Sequence, residues 1–476
     1  MKVLLVNTNR MKPAVAPIGL DYLADSLRAA GHELSLLDLC FSDDIEKDIA
    51  ASSSSFSPDI IGMSVRNTDD CFFSSGAFFL PDVRDMLFTL RQYSDAPVVL
   101  GGVGFSIMPE AALEYCGADF GIAGEGEDAF VRFLGAVQAG SDLDHVPGLI
   151  WWDETGLRRN RFKEIRLDAL PPRTRSFIDN RRYFAEGGQA GFETKRGCPM
   201  SCTYCADPVS KGRRSRLLPP RLVLEELRAL LAQGIEHLHT CDCEFNLPID
   251  HAREVCRAII EAGLGERVRW YAYCSIAPFD EETALLFRRA GCGGIDFGAD
   301  SGNAEMLKRL GRHFGPDDLE TAARHCRTAG IPFMYDLLVG GPGESRETIR
   351  ESIDRVRRLD ADCVGVAIGV RVYDGTPLAN QVRSAGPLES NPDLYGAKLD
   401  NDLLLRPVFY IAPALGEGIT ALLQELVGSD ERFFLPCGPD ENRDYNYNDN
   451  DVLVRAIADG ARGAYWDILR KMHTAG

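Results

Sequence analysis

The chain has 476 residues, 45 % of them hydrophobic and 26 % charged, which is enough for two or three domains with sizeable cores. Its net charge of −19 argues against a broad, sequence-independent nucleic-acid surface, which needs clustered basic residues. No run of about eighteen apolar residues occurs, and the opening MKVLLVNTNRMK lacks the apolar core of a signal peptide, so a cytoplasmic protein with neither membrane nor nucleic-acid partners is expected. Fourteen cysteines in that setting read as reduced thiols or metal ligands, not as a disulfide framework.

Lys2–Asn7 (KVLLVN) reads as a buried parallel strand. Leu20–Ala30 has helical spacing and stops at Gly31, a helix-ending glycine. Leu34–Leu39, Ile60–Val65, Val98–Leu100 and Ala118–Ala123 look like further strands. This alternation predicts an α/β fold that opens with a Rossmann-like, doubly wound domain over residues 1–140, its ligand lying beyond the carboxyl ends of the strands. The loops at those ends contain Arg66 and Asn67, then Gly101, Gly102, Gly104 and Ser106, then Gly124 and Glu125. No G-x-G-x-x-G follows the first strand, so this is not a dinucleotide fingerprint. The missing side chains at Gly101, Gly102 and Gly104 would instead let a bulky ligand approach the backbone. Residues 141–190 are expected to be a linker, with a small hairpin about Glu154–Gly156 and a surface passage through the prolines of LDALPPRTRS.

Cys198, Cys202 and Cys205 then form a C-x3-C-x2-C trio. Three thiolates so close suit a [4Fe–4S] cube, and they leave its fourth iron open for chemistry. A zinc site would need a fourth ligand or a second knuckle, and none follows at that spacing. Candidate strands at Phe192–Lys195, His237–Thr240, Arg269–Tyr273, Gly294–Gly298, Phe333–Leu338 and Val364–Val372 alternate with amphipathic helices. They predict a partial (β/α)6 barrel over 191–385, with the cysteine loop at its catalytic mouth. The basic run Lys211–Arg216 is either a solvated face or an anchor for a carboxylate or phosphate. Residues 386–476 are expected to form an α-rich cap, with helices at Gly416–Leu426 and Asp451–Lys471. Its Tyr445, Tyr447, Tyr465 and Trp466 could stack on an aromatic substrate, and ordinary packing is the competing reading for Trp466.

The stretches APIGLDYLADSLRAAGHELSLLDL, GMSVRNTDD, GGVGFSIMPE and GEGEDAF resemble the cobalamin-binding domain that precedes many radical S-adenosylmethionine enzymes. Ser64-Val65-Arg66 stands in that family's S-x-L place, and Gly101-Gly102 in its glycine pair. The cobalt-ligating histidine of the mutase-type domains is missing, because no histidine precedes His32. The resemblance implies that Arg66 faces the corrin's lower side, where a guanidinium cannot ligate cobalt, so base-off cobalamin is expected. The plainer alternative pairs Arg66 with Asp69 or Asp70.

RGCPMSCTYCAD resembles the cluster loop of the radical S-adenosylmethionine superfamily. What it implies is a cluster whose open iron holds S-adenosylmethionine and whose electron cleaves it to a deoxyadenosyl radical. Tyr204 takes the family's aromatic position against adenine, and Asp242 or Glu244 in TCDCEFNLP meets the methionyl amine. Asp300 and Ser301 in FGADSG match a G-x-E-S motif with aspartate for glutamate, unless Asp300 caps the next helix. The whole chain is similar to cobalamin-associated radical enzymes, including a group similar to tryptophan 2-C-methyltransferase. That implies a methyltransferase moving a methyl group from S-adenosylmethionine via methylcobalamin to a carbon of a small molecule, aromatic substrates included, with Arg66 and Tyr204 in catalytic positions. An electron donor such as flavodoxin or ferredoxin is the implied partner. A cobalamin-dependent cyclase or rearrangement enzyme is the alternative. A methylthiotransferase would need a second cluster from Cys40, Cys71 and Cys116, which are spread over three elements.

Overall fold

The computed structural model describes residues 1–436 and 444–475. Five parallel strands build the first sheet: β1 (Lys2–Asn7), β2 (Glu33–Asp38), β3 (Ile60–Ser64), β4 (Val98–Gly101) and β5 (Phe120–Ile122). Side chains of β1 alternate between two cores. Val3 and Leu5 pack with the helices Ile18–Ala29 and Gly126–Ala139, while Leu4 and Val6 pack with Ile45–Phe56, Leu80–Tyr93 and Pro109–Cys116. Both faces are therefore covered, which is why the strand is apolar throughout. Strand order β2-β1-β3-β4-β5 reverses at β1, and the crevice outside the β1 and β3 ends is the binding place such a sheet offers.

The hairpin expected in the linker belongs to this sheet. Strands β6 (Leu149–Asp153) and β7 (Gly156–Arg159) add antiparallel to β5, with Phe120 opposite Trp151. They cover an apolar edge that would otherwise be left unpaired. The first unit thus reaches Arg159, past the expected boundary at 140. The following passage is not confined to the surface either. Arg175 is fully buried; its Nε donates to Asp21 at 3.0 Å and its Nη1 to Glu226 at 2.8 Å. Asp21 sits on Ile18–Ala29 of the first unit and Glu226 on Pro220–Leu231 of the second, so one guanidinium ties the two units together.

The second sheet is all parallel: β8 (Ala190–Phe192), β11 (His237–Thr240), β12 (Arg269–Cys274), β13 (Cys292–Asp300), β14 (Phe333–Val339), β15 (Cys363–Ile368) and β19 (Phe433–Phe434), in the order β19-β15-β14-β13-β12-β11-β8. It is an open barrel of seven strands, because the tail contributes β19 beside β15. Between β8 and β11 lies a ribbon of β9 (Lys195–Arg196) and β10 (Arg216–Leu217) that brackets the cysteine loop. The strand expected over Val364–Val372 breaks at Gly369, where φ is +73°, and its end becomes β16 (Val370–Arg371). That strand joins β17 (Leu394–Gly396) and β18 (Val408–Tyr410), so the cap carries a small sheet as well as helices. The last expected helix is two, Asp451–Ala458 and Tyr465–Ala475. Among the described residues no helix is long and apolar enough to cross a membrane.

Candidate active site between the two sheets

The cluster loop is held by its backbone. Cys198 N–H donates to Gly212 O at 3.0 Å and Thr203 N–H to Leu310 O at 3.0 Å. Gly197 has φ +84°, and a Cβ there would lie 2.1 Å from Arg214 O, so only glycine fits. A hydrogen bond with Cys243 draws the Cys198 thiol down to about 6, while burial holds Cys202 and Cys205 up. Among the described residues no three ligating side chains close on a single metal ion. Three cysteines on one short loop, with no histidine or carboxylate closing around them, are a donor set that fits an iron–sulfur cube.

Arg312 is the hub beside them, and nothing in LGRHFG marks it in the sequence. Its Nη1 lies 3.1 Å from Cys202 Sγ, its Nη2 donates to Gly298 O at 2.6 Å and reaches Glu244 Oε1 at 3.4 Å, and its Nε is 3.4 Å from Asp300 Oδ2. Asp300 also accepts from the Tyr204 hydroxyl at 2.7 Å and holds a left-handed φ of +58°. Burial raises the Asp300 carboxyl, with Arg312 and Tyr204 opposing. The helix-cap alternative for Asp300 fails, because Asn303 caps that helix by accepting from Met306 N–H at 3.0 Å. Ser301 is spent on Ser352, Oγ to Oγ at 2.9 Å.

The two acids of TCDCEFNLP part company. Asp242 accepts from Thr194 N–H at 3.0 Å, Thr194 Oγ1 at 2.5 Å and Lys195 N–H at 3.2 Å, so its lone pairs shape the turn before the cluster loop. Glu244 has only the long contact to Arg312, and burial pushes it up to about 7 against that charge.

Across the crevice, the ends of β3 and β4 interlock. Gly102 has φ +101° and its Cβ would meet Val65 O at 2.5 Å; a Cβ on Gly104 would lie 2.8 Å from the Asn67 backbone. This close packing gives a flat backbone shelf that a planar macrocycle suits. Arg66 projects at its end: the Asn67 amide accepts from Arg66 Nη1 at 3.1 Å, and the Arg66 charge is felt by Tyr273 and Tyr465. It does not pair with Asp69, which takes Arg371 at 2.9 Å, nor with Asp70, which accepts from Ser75 and Asn446.

Three of the expected ligand contacts in this half are used by the protein itself. Glu125 accepts from Arg216 at 2.5 Å, Arg196 at 3.4 Å and Ile165 N–H at 3.0 Å, so it is a clasp between the units. Gly124 packs under Phe162, and Ser106 bridges Gly102 O at 2.7 Å and Gly124 N–H at 2.8 Å. The basic run is likewise taken up: Lys211 pairs with Asp207, Arg214 with Glu164 and Arg216 with Glu125. Gly101 and Ser64 remain half-buried at the strand ends.

Tyrosines stand between the shelf and the cluster loop. Tyr273 on β12 is 45 % exposed, yet desolvation is the largest cause raising its hydroxyl. Its ring packs on His239 at 4.9 Å between centroids, and the charges of Asp296, Asp336 and Arg66 act on its hydroxyl. Tyr445, Tyr447 and Tyr465 continue the row, with ring centroids 5.6 Å and 5.9 Å apart, and Phe72 meets Tyr445 at 5.7 Å. Trp466 does not join them; it is 2 % exposed and plugs the far end of the barrel against Tyr271 and Gly294. Cys40, Cys71 and Cys116 lie in separate surroundings, with Cys71 Sγ 2.9 Å from the Tyr373 hydroxyl and Cys116 in the first core.

Comparison with known proteins agrees with this arrangement. Residues 5–134 match the model of the B12 binding domain and residues 192–356 that of the Radical SAM superfamily. A tryptophan 2-C-methyltransferase from Streptomyces laurentii is 30 % identical, over 98 % of this chain and 95 % of its own. A cytidylyl-2-hydroxyethylphosphonate methyltransferase from Streptomyces wedmorensis is 25 % identical over 74 % of this chain and 76 % of its own. The structure of the methyltransferase TsrM from Kitasatospora setae, with tryptophan and a S-adenosylmethionine analogue bound, superposes with a TM-score of 0.92 and 31 % identity, covering 100 % of this chain and 98 % of that one. The chain belongs to the family of the tryptophan 2-C-methyltransferases, cobalamin-dependent radical S-adenosylmethionine enzymes with a [4Fe–4S] cluster, and is itself a methyltransferase.

Proposed function

We propose that this methyltransferase acts on a ring carbon of an aromatic small molecule of the tryptophan class. The observation that carries this reading is the tyrosine row, Tyr273, Tyr445, Tyr447 and Tyr465, standing between Arg66 and the cluster loop. Rigid aromatic faces hold a flat ring in one orientation. When bound, cobalamin supplies a carrier for the methyl group and the cluster supplies single electrons.

This chain's residues then do the positioning. Cys198, Cys202 and Cys205 hold the cluster, and Arg312 lends positive charge to the Cys202 sulfur. Glu244, the acid with unused acceptor capacity, meets the methionyl amine, and Asp242 does not. Tyr204 lies against the adenine, its hydroxyl fixed by Asp300. Arg66, Asn67, Gly102 and Gly104 are the residues that would hold the corrin on the backbone shelf, and the Arg66 guanidinium, which has no lone pair to give, would offer it charge and no metal ligand. A small electron carrier of the flavodoxin or ferredoxin class would be the partner that supplies electrons to a cluster held there.

The test is reconstitution with iron, sulfide and cobalamin, followed by methyl-deuterated S-adenosylmethionine and tryptophan. Label on a ring carbon supports the reading. Absence of label from the tryptophan ring would mean that the acceptor is not of the tryptophan class. In a companion experiment, Cys198→Ala should abolish the cluster's visible absorption and leave cobalamin bound.

A further inference from the structure

Arg371 reaches out of the cap into the loop that carries Arg66. The chain leaves β15 through Gly369 and continues as β16, which pairs with β18 and sets Arg371 opposite Phe409. That puts the Arg371 side chain, 4 % exposed, against Asp69, whose side chain is fully buried. Nε and Nη2 donate to Asp69 Oδ2 at 3.1 and 2.9 Å, and Nη1 donates to Val372 O at 2.6 Å. Nη2 also meets Leu404 O and Leu405 O at 3.1 and 3.2 Å. Asp69 Oδ1 is taken as well, by the Tyr373 hydroxyl at 3.0 Å. The carboxylate therefore belongs to the cap, although in sequence it stands three residues from Arg66.

That ownership decides what Arg66 can do. A carboxylate three positions along the same loop is within an arginine's reach, and a charge-assisted pair there would hold the guanidinium in the loop. Asp69 is not free to make it, and Asp70 is filled by Phe72 N–H at 3.2 Å, Ser75 and Asn446 Nδ2 at 3.1 Å. Among the described residues no carboxylate pairs with Arg66; its partner is the Asn67 amide, which accepts from Nη1 at 3.1 Å. The Arg66 backbone is fixed from the other side, where Gly104 N–H donates to its carbonyl at 2.9 Å. Arg66 is thus pinned to the shelf at its base and left with an unneutralised charge at its tip. Two guanidiniums cannot both neutralise one buried carboxylate, and Arg371, desolvated and bound on several sides, would be left stranded if Asp69 turned away.

We propose that Arg371 is a positioning residue for cobalamin: by occupying Asp69 it leaves the Arg66 charge free for the corrin. Without Arg371, Asp69 turns to Arg66 and draws the guanidinium off the shelf into an ion pair within its own loop. The proposal rests on the reading that Arg66 meets the corrin, and adds what keeps it available. It also gives the cap a part in holding a cofactor that the first unit receives.

The experiment is equilibrium absorbance titration of the full-length, cluster-reconstituted enzyme with hydroxocobalamin, the cluster's visible spectrum checking that each variant is folded. Arg66→Met sets the scale and should bind about tenfold more weakly, the size of one lost charged contact. Arg371→Met should weaken binding by the same factor, and adding it to Arg66→Met should weaken it no further. The decisive variant combines Arg371→Met with Asp69→Asn. It lacks both halves of the clamp yet has no carboxylate at 69 to capture Arg66, so affinity should return to within about twofold of the wild type. A merely structural clamp predicts the reverse, a double variant at least as weak as the single one. Where Arg371→Met does not fold, Arg371→Gln, which keeps donors for the Leu404 and Leu405 carbonyls, takes its place with the same expectations. Wild-type affinity in the Arg371 variant, additive loss with Arg66→Met, or no recovery in the double variant would overturn the proposal and leave Arg66 at the corrin. Wild-type affinity in Arg66→Met would instead overturn the reading beneath it, and the proposal with it.

Discussion

The Arg312 guanidinium lies 3.1 Å from Cys202 Sγ while also donating to the Gly298 carbonyl at 2.6 Å. One buried cation thus connects the cluster loop to β13, whose end carries Asp300. Positive charge and hydrogen bonding at a cluster sulfur stabilise the more negative, reduced state. Arg312→Gln should therefore lower the cluster's reduction potential by about 60 mV, a tenfold change for a one-electron couple. Potentiometric titration followed by electron paramagnetic resonance reads this directly, and an unchanged potential would show the contact to be packing alone.

Arg175 should matter to the whole molecule more than to the chemistry. It is fully buried and reaches Asp21 from the first unit and Glu226 from the second. Removing one member of such a set strands the other charges. Arg175→Met is expected to cost about 3–5 kcal/mol in urea unfolding and to loosen cobalamin and cluster together, because the candidate site is formed by the docking of the two units. A variant that unfolds like the wild type would mean that Tyr22, Arg173 and Glu193 hold the interface without it.

Much of this layout was legible in the sequence, for reasons that differ by element. KVLLVN and the strands after it are short, apolar and β-branched, so both sheets could be read from local pattern. The cysteine trio carries its chemistry in spacing alone. Arg312 and Arg371 could not be found that way: each gains its role from a partner on another strand or unit, and an isolated arginine in a strand–helix pattern gives no sign of what will face it. Glu125 and the KGRRSR run misled for the same reason, since opposite charges 91 residues apart meet as a clasp. The hairpin was visible, but not the open β5 edge that it completes.

Glu344 should govern part of the pH dependence of stability. Its Oε2 accepts from Gly340 N–H at 2.5 Å and Gly341 N–H at 3.1 Å, but burial outweighs both and lifts the carboxyl from 4.5 to about 7. A folded-state value above the unfolded one means that the native form holds the proton more tightly. Its contribution is then fully present below pH 4.5 and is lost as pH rises toward 7. Glu344→Gln keeps an acceptor for the two N–H groups and cannot ionise. Its stability relative to the wild type should therefore improve by up to about 3 kcal/mol between pH 5 and 8 in denaturant titrations. A difference independent of pH would show that the two N–H bonds keep Glu344 ionised.

Gly104 tests the shelf on which the corrin is expected to rest. A Cβ at this position would stand 2.8 Å from the Asn67 Cα and carbonyl carbon, which are backbone atoms with no rotamer to yield. Gly104→Ala must therefore push the Val65–Asn67 segment outward and tilt Arg66 with it, at a cost of about 1–3 kcal/mol for such overpacking. The helix Val103–Ile107 packs on Asp207–Lys211 just beyond the cluster loop, but the loop keeps its own anchors, Cys198 N–H to Gly212 O and Thr203 N–H to Leu310 O. The variant should then bind cobalamin about tenfold or more weakly by equilibrium absorbance titration, while its reconstituted cluster keeps the wild-type spectrum. Unchanged cobalamin affinity would place the corrin away from this shelf, and loss of both spectra together would mean that the two sides of the site fold as one unit.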